Sequence, residues 1–276
     1  MSPIVAGAVL FSAALHAAWN ALLRGSGDRR KAAGWIGLAT FLSCAPLLPF
    51  VGPPANAWAY VLTSSALHIV YLRLLASAYE NSDLSFAYPI ARGSSPLLVA
   101  LGGAILASER LSYGSLAGIA LVSGGILLIG LEAKKLNRQA LISALSVGVV
   151  IALYTVVDGL GARRCASSAQ YNVWCFSIYG AFVAIQSLRI ERDRGPLSEL
   201  RANLPALLSG VASVVAYSIV TWAMVRAQMG LVSALRETSS LFATVIGVVW
   251  LKERATPLRI AGCLSMVLGA TCFAIR

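Results

Sequence analysis

The chain has 276 residues, of which 58% are hydrophobic and only 12% are Asp, Glu, Lys or Arg, half the roughly 25% charge of a soluble domain. With a mean hydropathy of +0.77, so little charge excludes a soluble enzyme and a disordered scaffold. The net charge of +11 would by itself suit a polyanion, but Lys and Arg gather between long apolar runs, where a membrane protein keeps them, so no nucleic-acid partner is expected.

The first run, residues 4–23, has no basic residue before it; Arg24 follows it. That is the wrong polarity for a cleaved signal peptide and predicts a retained transmembrane helix. A spanning helix needs about 20 mostly apolar residues. Further runs of that kind cover 33–51, 56–78, 84–107, 113–131, 139–158, 170–188, 203–226, 230–251 and 257–275, ten in all. Breakers mark the joints: Gly25-Ser26-Gly27-Asp28, Gly52-Pro53-Pro54, Gly195-Pro196 and Pro257. Only Glu80-Asn81-Ser82-Asp83 separates the third run from the fourth. Backbone groups in lipid must pair within their own segment, so runs this long are helices.

The segment from Ala87 to Gly125 lies over that from Leu231 to Gly269 without a gap. Arg92 falls on Arg236, Ser95 on Ser239, Gly103 on Gly247, Glu109-Arg110 on Glu253-Arg254, Gly118 on Gly262 and Gly125 on Gly269. The fourth helix thus matches the ninth and the fifth the tenth, giving five helices per half. An odd number of crossings makes the second half enter from the opposite side. The predicted fold is all-α and integral to the membrane, with ten transmembrane helices as two inverted five-helix repeats, 1–132 and 133–276. That architecture suits alternating access at a midplane site.

Charges inside the runs are costly, which makes each a candidate site. Arg92 lies about 6 Å from the middle of its helix at 1.5 Å per residue, and Arg236 holds the matching place. Two guanidinium forks facing a cavity could hold an anion bidentately; alternatively each Arg pairs with Glu237 or Asp158 and pins helices together. Glu237, the deepest acid, is either a proton carrier for coupling or a counter-ion to Arg92 or Arg236. Asp158 shares a face with Tyr154 on the sixth helix, at i, i+4. His16, Trp19 and Asn20 share one face of the first. Both sets suit a cavity wall or interhelical hydrogen bonding. Arg73 lies deep in the third run, with Glu80 one heptad on, and is a further candidate for lining the site. His68 has no partner visible in sequence and reads as a hydrogen-bonded packing residue. Glu109-Arg110 and Glu253-Arg254 read as capping groups beside short turns, and the glycines at 102, 103, 118, 124 and 125 as packing features.

Five cysteines include no CxxC pair. Four lie inside apolar runs and the fifth, Cys165, near a helix end, so no metal, cofactor or disulfide is expected. No HExxH, GxSxG, Walker or Rossmann pattern stands in a suitable context, so the chain does not read as an enzyme. Uphill transport would draw on ion or solute gradients.

The stretches His16-Ala17-Ala18-Trp19-Asn20-Ala21-Leu22-Leu23, Tyr88-Pro89-Ile90-Ala91-Arg92-Gly93, Ser108-Glu109-Arg110-Leu111 and Leu251-Lys252-Glu253-Arg254 together resemble the EamA-type branch of the drug/metabolite transporter superfamily. The resemblance covers nearly the whole chain, as two EamA-like repeats. It implies a ten-helix secondary transporter of the cell (inner) membrane, often an exporter of small metabolites or amino-acid-like solutes, with Tyr88 beside Arg92 in the candidate site. Substrate binding is expected at Arg92, Arg236, Tyr88, Trp19, Asn20, His16, Tyr154 and Arg73, and coupling at Glu237 and Asp158. The contrasting reading is a non-transporting partner subunit of a lipid-handling membrane complex; an intramembrane enzyme is a third.

Charge and resemblance disagree on orientation. Arg24, Arg29, Arg30, Lys31, Lys134, Lys135, Arg138, Arg192, Arg194, Arg201, Lys252, Arg254 and Arg259 flank one membrane face, against mainly Arg110, Arg163, Arg164, Arg226 and Arg276 on the other. By the positive-inside rule the richer face is cytoplasmic and both termini lie outside. The resemblance implies both termini inside. The sequence leaves open the solute, the coupling ion (a proton among the candidates), the direction and whether the chain forms a homodimer.

Overall fold

The computed structural model describes residues 1–23, 29–81, 84–131, 138–188, 196–249 and 256–273, with side chains described except at 21–23, 29–30, 76–81, 84–87, 196–197 and 247. Every regular element among them is helical: α1 (Pro3–Leu23), α2 (Arg29–Cys44), α3 (Leu48–Val51), α4 (Trp58–Asn81), α5 (Leu84–Leu106), α6 (Tyr113–Gly130), α7 (Arg138–Ala162), α8 (Ser168–Ser187), α9 (Pro196–Ala202), α10 (Leu204–Met224), α11 (Met229–Glu237), α12 (Ser239–Val249) and α13 (Pro257–Cys272). Seven stretches, in α1, α2 to α3, α4, α5, α6, α7 and α10, are long and apolar enough to cross a membrane. The chain is a multi-pass integral membrane protein. Its outward side chains agree: Ile4, Phe50, Ile105 and Ile185 are broadly exposed, as lipid contact permits.

Start signals in the sequence set several boundaries. Ser112, Ser167 and Thr256 each accept a hydrogen bond from the backbone N–H three residues on, capping α6, α8 and α13. Two runs depart from a single helix. The run over 33–51 tightens at Ala45–Leu47 into a 3-10 turn before α3, because Pro46 and Pro49 cannot donate to a continuing α-helix. The run over 230–251 breaks at Thr238. There the backbone N–H turns back to the Leu235 carbonyl at 3.2 Å, and the side-chain hydroxyl donates to the same carbonyl at 2.7 Å. Once that carbonyl is satisfied locally, α11 can stop at Glu237 and α12 start at Ser239.

α6 packs along α13 and α2 along α8; α7 lies against α4 and α5, α1 against α10, and α11 against α5. A Cβ on Gly118 would lie 2.8 Å from the Gly269 carbonyl oxygen, and one on Gly125 would lie 2.5 Å from that of Gly262. Rising numbers on α6 therefore meet falling numbers on α13, so the two run antiparallel. α2 and α8 do the same, with Gly34 against Leu188 and Gly180 against Phe41. All nine residues of α11 are buried. It threads a core that includes Val99, Ile119, Met224, Met266 and Phe273, and carries Arg236 and Glu237 into it.

Candidate functional site

Arg92 is positioned by a local defect in α5. Pro96 has no N–H, so the Arg92 carbonyl four residues earlier loses its helical partner; the Ser95 hydroxyl donates to it at 3.2 Å instead. Arg236 and Glu237 end α11 at the Thr238 break. The two irregularities face each other, since Gly230 meets Ala100 one way along the helices and Glu237 meets Arg92 the other way.

Glu237 lies between the two arginines. Its Oε2 is 2.6 Å from Arg92 Nε, and its Oε1 accepts from Arg236 Nη2 at 3.2 Å. Arg92 and Arg236 are 4% exposed and Glu237 is 0% exposed. The Arg92 contact is ionic without hydrogen-bond alignment, and the Nε–H of neither arginine has a hydrogen-bond acceptor among the described residues. Arg92 Nη2 also donates to Ser239 Oγ at 3.3 Å and to His16 Nε2 at 3.5 Å, which requires that nitrogen to be unprotonated. The Tyr88 ring centre is 5.6 Å from the Arg92 guanidinium carbon, and that of Tyr217 is 5.7 Å from the Arg236 one. The Tyr154 ring packs beside that of Tyr217, centroids 6.3 Å apart.

A second carboxylate adjoins this group. Asp158, 0% exposed, accepts from the Tyr171 hydroxyl at 2.7 Å and from the Tyr217 hydroxyl. Tyr217 thus joins Asp158 to Arg236, hydroxyl to one and ring to the other. An aromatic wall continues outward: His68 stacks on Tyr154 with centroids 4.2 Å apart, and Tyr179 and Tyr71 flank that pair.

The structure brings Arg92, Arg236 and Glu237 together, with Tyr88, Tyr154 and His16 around them and Asp158 one tyrosine away. Trp19 meets the His16 ring edge-on at 5.0 Å. Asn20 instead turns its amide back to the His16 carbonyl at 2.7 Å, the local bond such side chains readily make. Arg73 is exposed on α4, away from this group; the side chain of Glu80, its expected partner, lies outside the described residues. Sequence reasoning misses Tyr217 and Tyr171, whose neighbours at helical spacing include Ser213, Thr221, Ser167 and Ser168 but no charge to mark them. It treats His68 only as packing, although the ring lines the aromatic wall, its Nδ1 lying 2.9 Å from the Ser64 carbonyl oxygen and 3.2 Å from the Ser64 hydroxyl. Ser239 had a signal, as the repeat mate of Ser95. Among the described residues no three His, Cys, Asp or Glu side chains gather to hold a metal.

One end of the molecule is tied to α11. Gln228, its N-cap residue, offers no side-chain bond; Glu109 from the α5–α6 turn does so in its place, accepting the Met229 N–H at 2.9 Å. The other Glu109 oxygen holds Arg163 at 2.5 Å, and Arg163 donates to the Met224 and Ala227 carbonyls. The corresponding Glu253-Arg254 lies outside the described residues. Glu109→Ala should cost about 1–2 kcal/mol, the upper range for a lost cap, and Glu109→Gln about half of that. Thermal unfolding in detergent checks both; equal stability of all three proteins would show that α11 needs no cap.

The family model described as EamA-like transporter family matches residues 138–275. A solved structure described only as "Crystal structure of protein" superposes with a TM-score of 0.73 at 18% sequence identity, covering 99% of this chain and 96% of its own. At that identity the likeness speaks to the fold. No curated protein sequence matches the chain.

Proposed function

We propose, from the premise that the chain belongs to the EamA-like transporter family, that it moves a small carboxylate-bearing solute of amino-acid-like size, by alternating access at the Arg92–Arg236 site. The observation that carries this is incomplete pairing. Two buried guanidiniums share one carboxylate, which touches each once and completes neither fork. A structural ion pair so deeply buried needs every donor satisfied; a site that must release one anion to take another does not. The aromatic wall of His68, Tyr154 and Tyr217 offers an apolar surface beside the charges, the usual make-up of a small-molecule site.

The inverted-repeat reading has support of its own. Counting α2 with α3 as one crossing and α11 with α12 as another, and adding α8 and α13, gives ten. Repeat mates lie 144 positions apart, from 92 to 236, 118 to 262 and 125 to 269. Exchanging the halves turns the Gly118–Gly269 contact into Gly262–Gly125, which is the other contact observed. Mated helices that pack antiparallel suit halves inserted in opposite senses. A discontinuous ninth crossing, broken beside the charges, suits a midplane site. Asp158 and Glu237 are the coupling candidates. Export across the cell membrane is the direction the resemblance implies.

Purified full-length chain in liposomes, offered radiolabelled neutral amino acids, monocarboxylates and the matching amides, should accumulate carboxylates and not amides. Equal movement of both, or of neither, would overturn the reading.

A further inference from the structure

We infer that Glu237 is the resident substitute for the solute's carboxylate, and that a monocarboxylate displaces it from the two arginines as Glu237 takes up one proton. This rests on the transporter reading above and adds its charge balance.

The buried charges of this group, among the described residues, are two guanidiniums, Arg92 and Arg236, and two carboxylates, Glu237 and Asp158, which cancel when all are ionised; Glu199, also buried, pairs with Lys31 at 2.7 Å instead. The carboxylates are held differently. Each Asp158 oxygen accepts a tyrosine hydroxyl, one from α8 and one from α10. Glu237 Oε2 meets Arg92 Nε at 2.6 Å without hydrogen-bond alignment, and Oε1 receives one bond at 3.2 Å. Glu237 is therefore the easier carboxylate to dislodge, and it stands at the last residue of α11, next to the break.

A monocarboxylate that completes the two forks brings a second negative charge to a place buried in protein, where an uncompensated charge is strongly unfavourable. A proton from the aqueous side, added to a Glu237 oxygen, cancels it. One O–H bond forms, none breaks within the protein or solute, and the solute carboxylate accepts the guanidinium N–H groups that Glu237 gives up. A zwitterion carries its own positive charge and needs no proton.

The elements packed against α11 are α1, α5, α6, α7 and α10. Around Glu237 they present His16 from α1, Arg92 and Tyr88 from α5, Tyr154 and Asp158 from α7 and Tyr217 from α10, with Arg236 on α11 itself. The only ionisable residue of α6 is Tyr113, exposed at its far end, and α12 has none. The arginines keep their protons, and Asp158 is occupied by two hydroxyls. Among the described residues beside the arginines, His16 is the other side chain that can take up a proton, and the test must separate it from Glu237.

Calorimetry on the full-length chain in detergent, run in two buffers of different ionisation enthalpy, counts protons per ligand bound. The probes are 3-phenylpropionate, L-phenylalanine and 3-phenylpropionamide. Wild type at pH 7 should take up one proton with 3-phenylpropionate, none with L-phenylalanine, and should not bind the amide. Its affinity for 3-phenylpropionate should rise about tenfold for each unit the pH falls. His16→Gln should keep the proton, whereas Glu237→Gln should lose it and bind 3-phenylpropionate more tightly than wild type at pH 7. A proton count of zero in wild type overturns the inference while leaving the transporter reading standing; loss of the proton in His16→Gln does the same. Failure of every carboxylate to bind between pH 5 and 8 takes down both. Should Glu237→Gln not fold, the wild-type and His16→Gln counts decide the matter.

Discussion

Arg236→Met is expected to abolish solute transport while the protein stays folded, and Glu237→Met is expected to unfold it. The asymmetry follows from a shared carboxylate. Removing Arg236 leaves Arg92 and Glu237 as a one-to-one pair at 2.6 Å, and Met fills the space with a flexible apolar chain of similar length. Removing Glu237 leaves two guanidiniums that are 4% exposed with no carboxylate between them. Breaking a buried pair from one side costs about 3–5 kcal/mol, a large part of a marginal stability. The functional loss in Arg236→Met has a different origin. A carboxylate held by that fork loses two charge-assisted hydrogen bonds, worth about 1.5–3 kcal/mol each, so transport should fall on the order of a hundredfold or more. Arg92→Lys and Arg236→Lys keep the charge but lose the planar fork, and should be folded and impaired. Uptake into liposomes alongside thermal unfolding checks the set. Full activity in both Lys variants would discard fork binding. Restored activity in Arg92→Met with Glu237→Gln would make these residues structural.

The two arginines are legible in the sequence for the same reason that they are costly: a cation inside an apolar run stands out, and the repeat assigns both the same depth. The bond between Arg236 and Glu237 is harder to foresee. Adjacent residues on a continuous helix point about 100° apart, which argues against their meeting. They meet because α11 ends at Glu237 and lets the carboxylate turn back. That break is not written as Gly or Pro; it depends on Thr238 satisfying the Leu235 carbonyl twice over. Tyr217 is illegible for another reason. On an apolar helix such as α10, sequence alone does not say which face turns inward. That is decided by α1, α2, α7, α8 and α11, which pack around it. Arg73 shows the converse limit: depth within a run carries no information about which way a side chain faces, and this one is exposed.

Gly125→Val and Gly262→Val should destabilise the protein by equal amounts, about 3 kcal/mol each, and together by less than the sum. Both glycines are exposed to the same constraint from opposite sides: a Cβ on either would lie 2.5 Å from the other's carbonyl oxygen, closer than any real contact. On both sides the nearest atom is a backbone oxygen, which cannot swing aside as the neighbouring Met266 and Ile129 side chains can, so the helices must separate. Overpacking of this kind costs about 1–3 kcal/mol and at times more, and a β-branched residue puts two further carbons into the gap. The first substitution already opens the α6–α13 seam, so the second finds part of the room made, and residues in contact are not additive. Gly124, on the same helix, has nothing within 4 Å of its Cβ position; Gly124→Val should change stability by less than about 0.5 kcal/mol, as substitutions away from close contacts do. Urea or thermal unfolding of the four variants in one detergent measures all of this. Equal loss at positions 124 and 125 would show that helix propensity, not close approach, is what valine disturbs. A large difference between positions 125 and 262 would mean that the seam is not reciprocal, and would remove the main packing support for two halves related by an axis in the membrane plane.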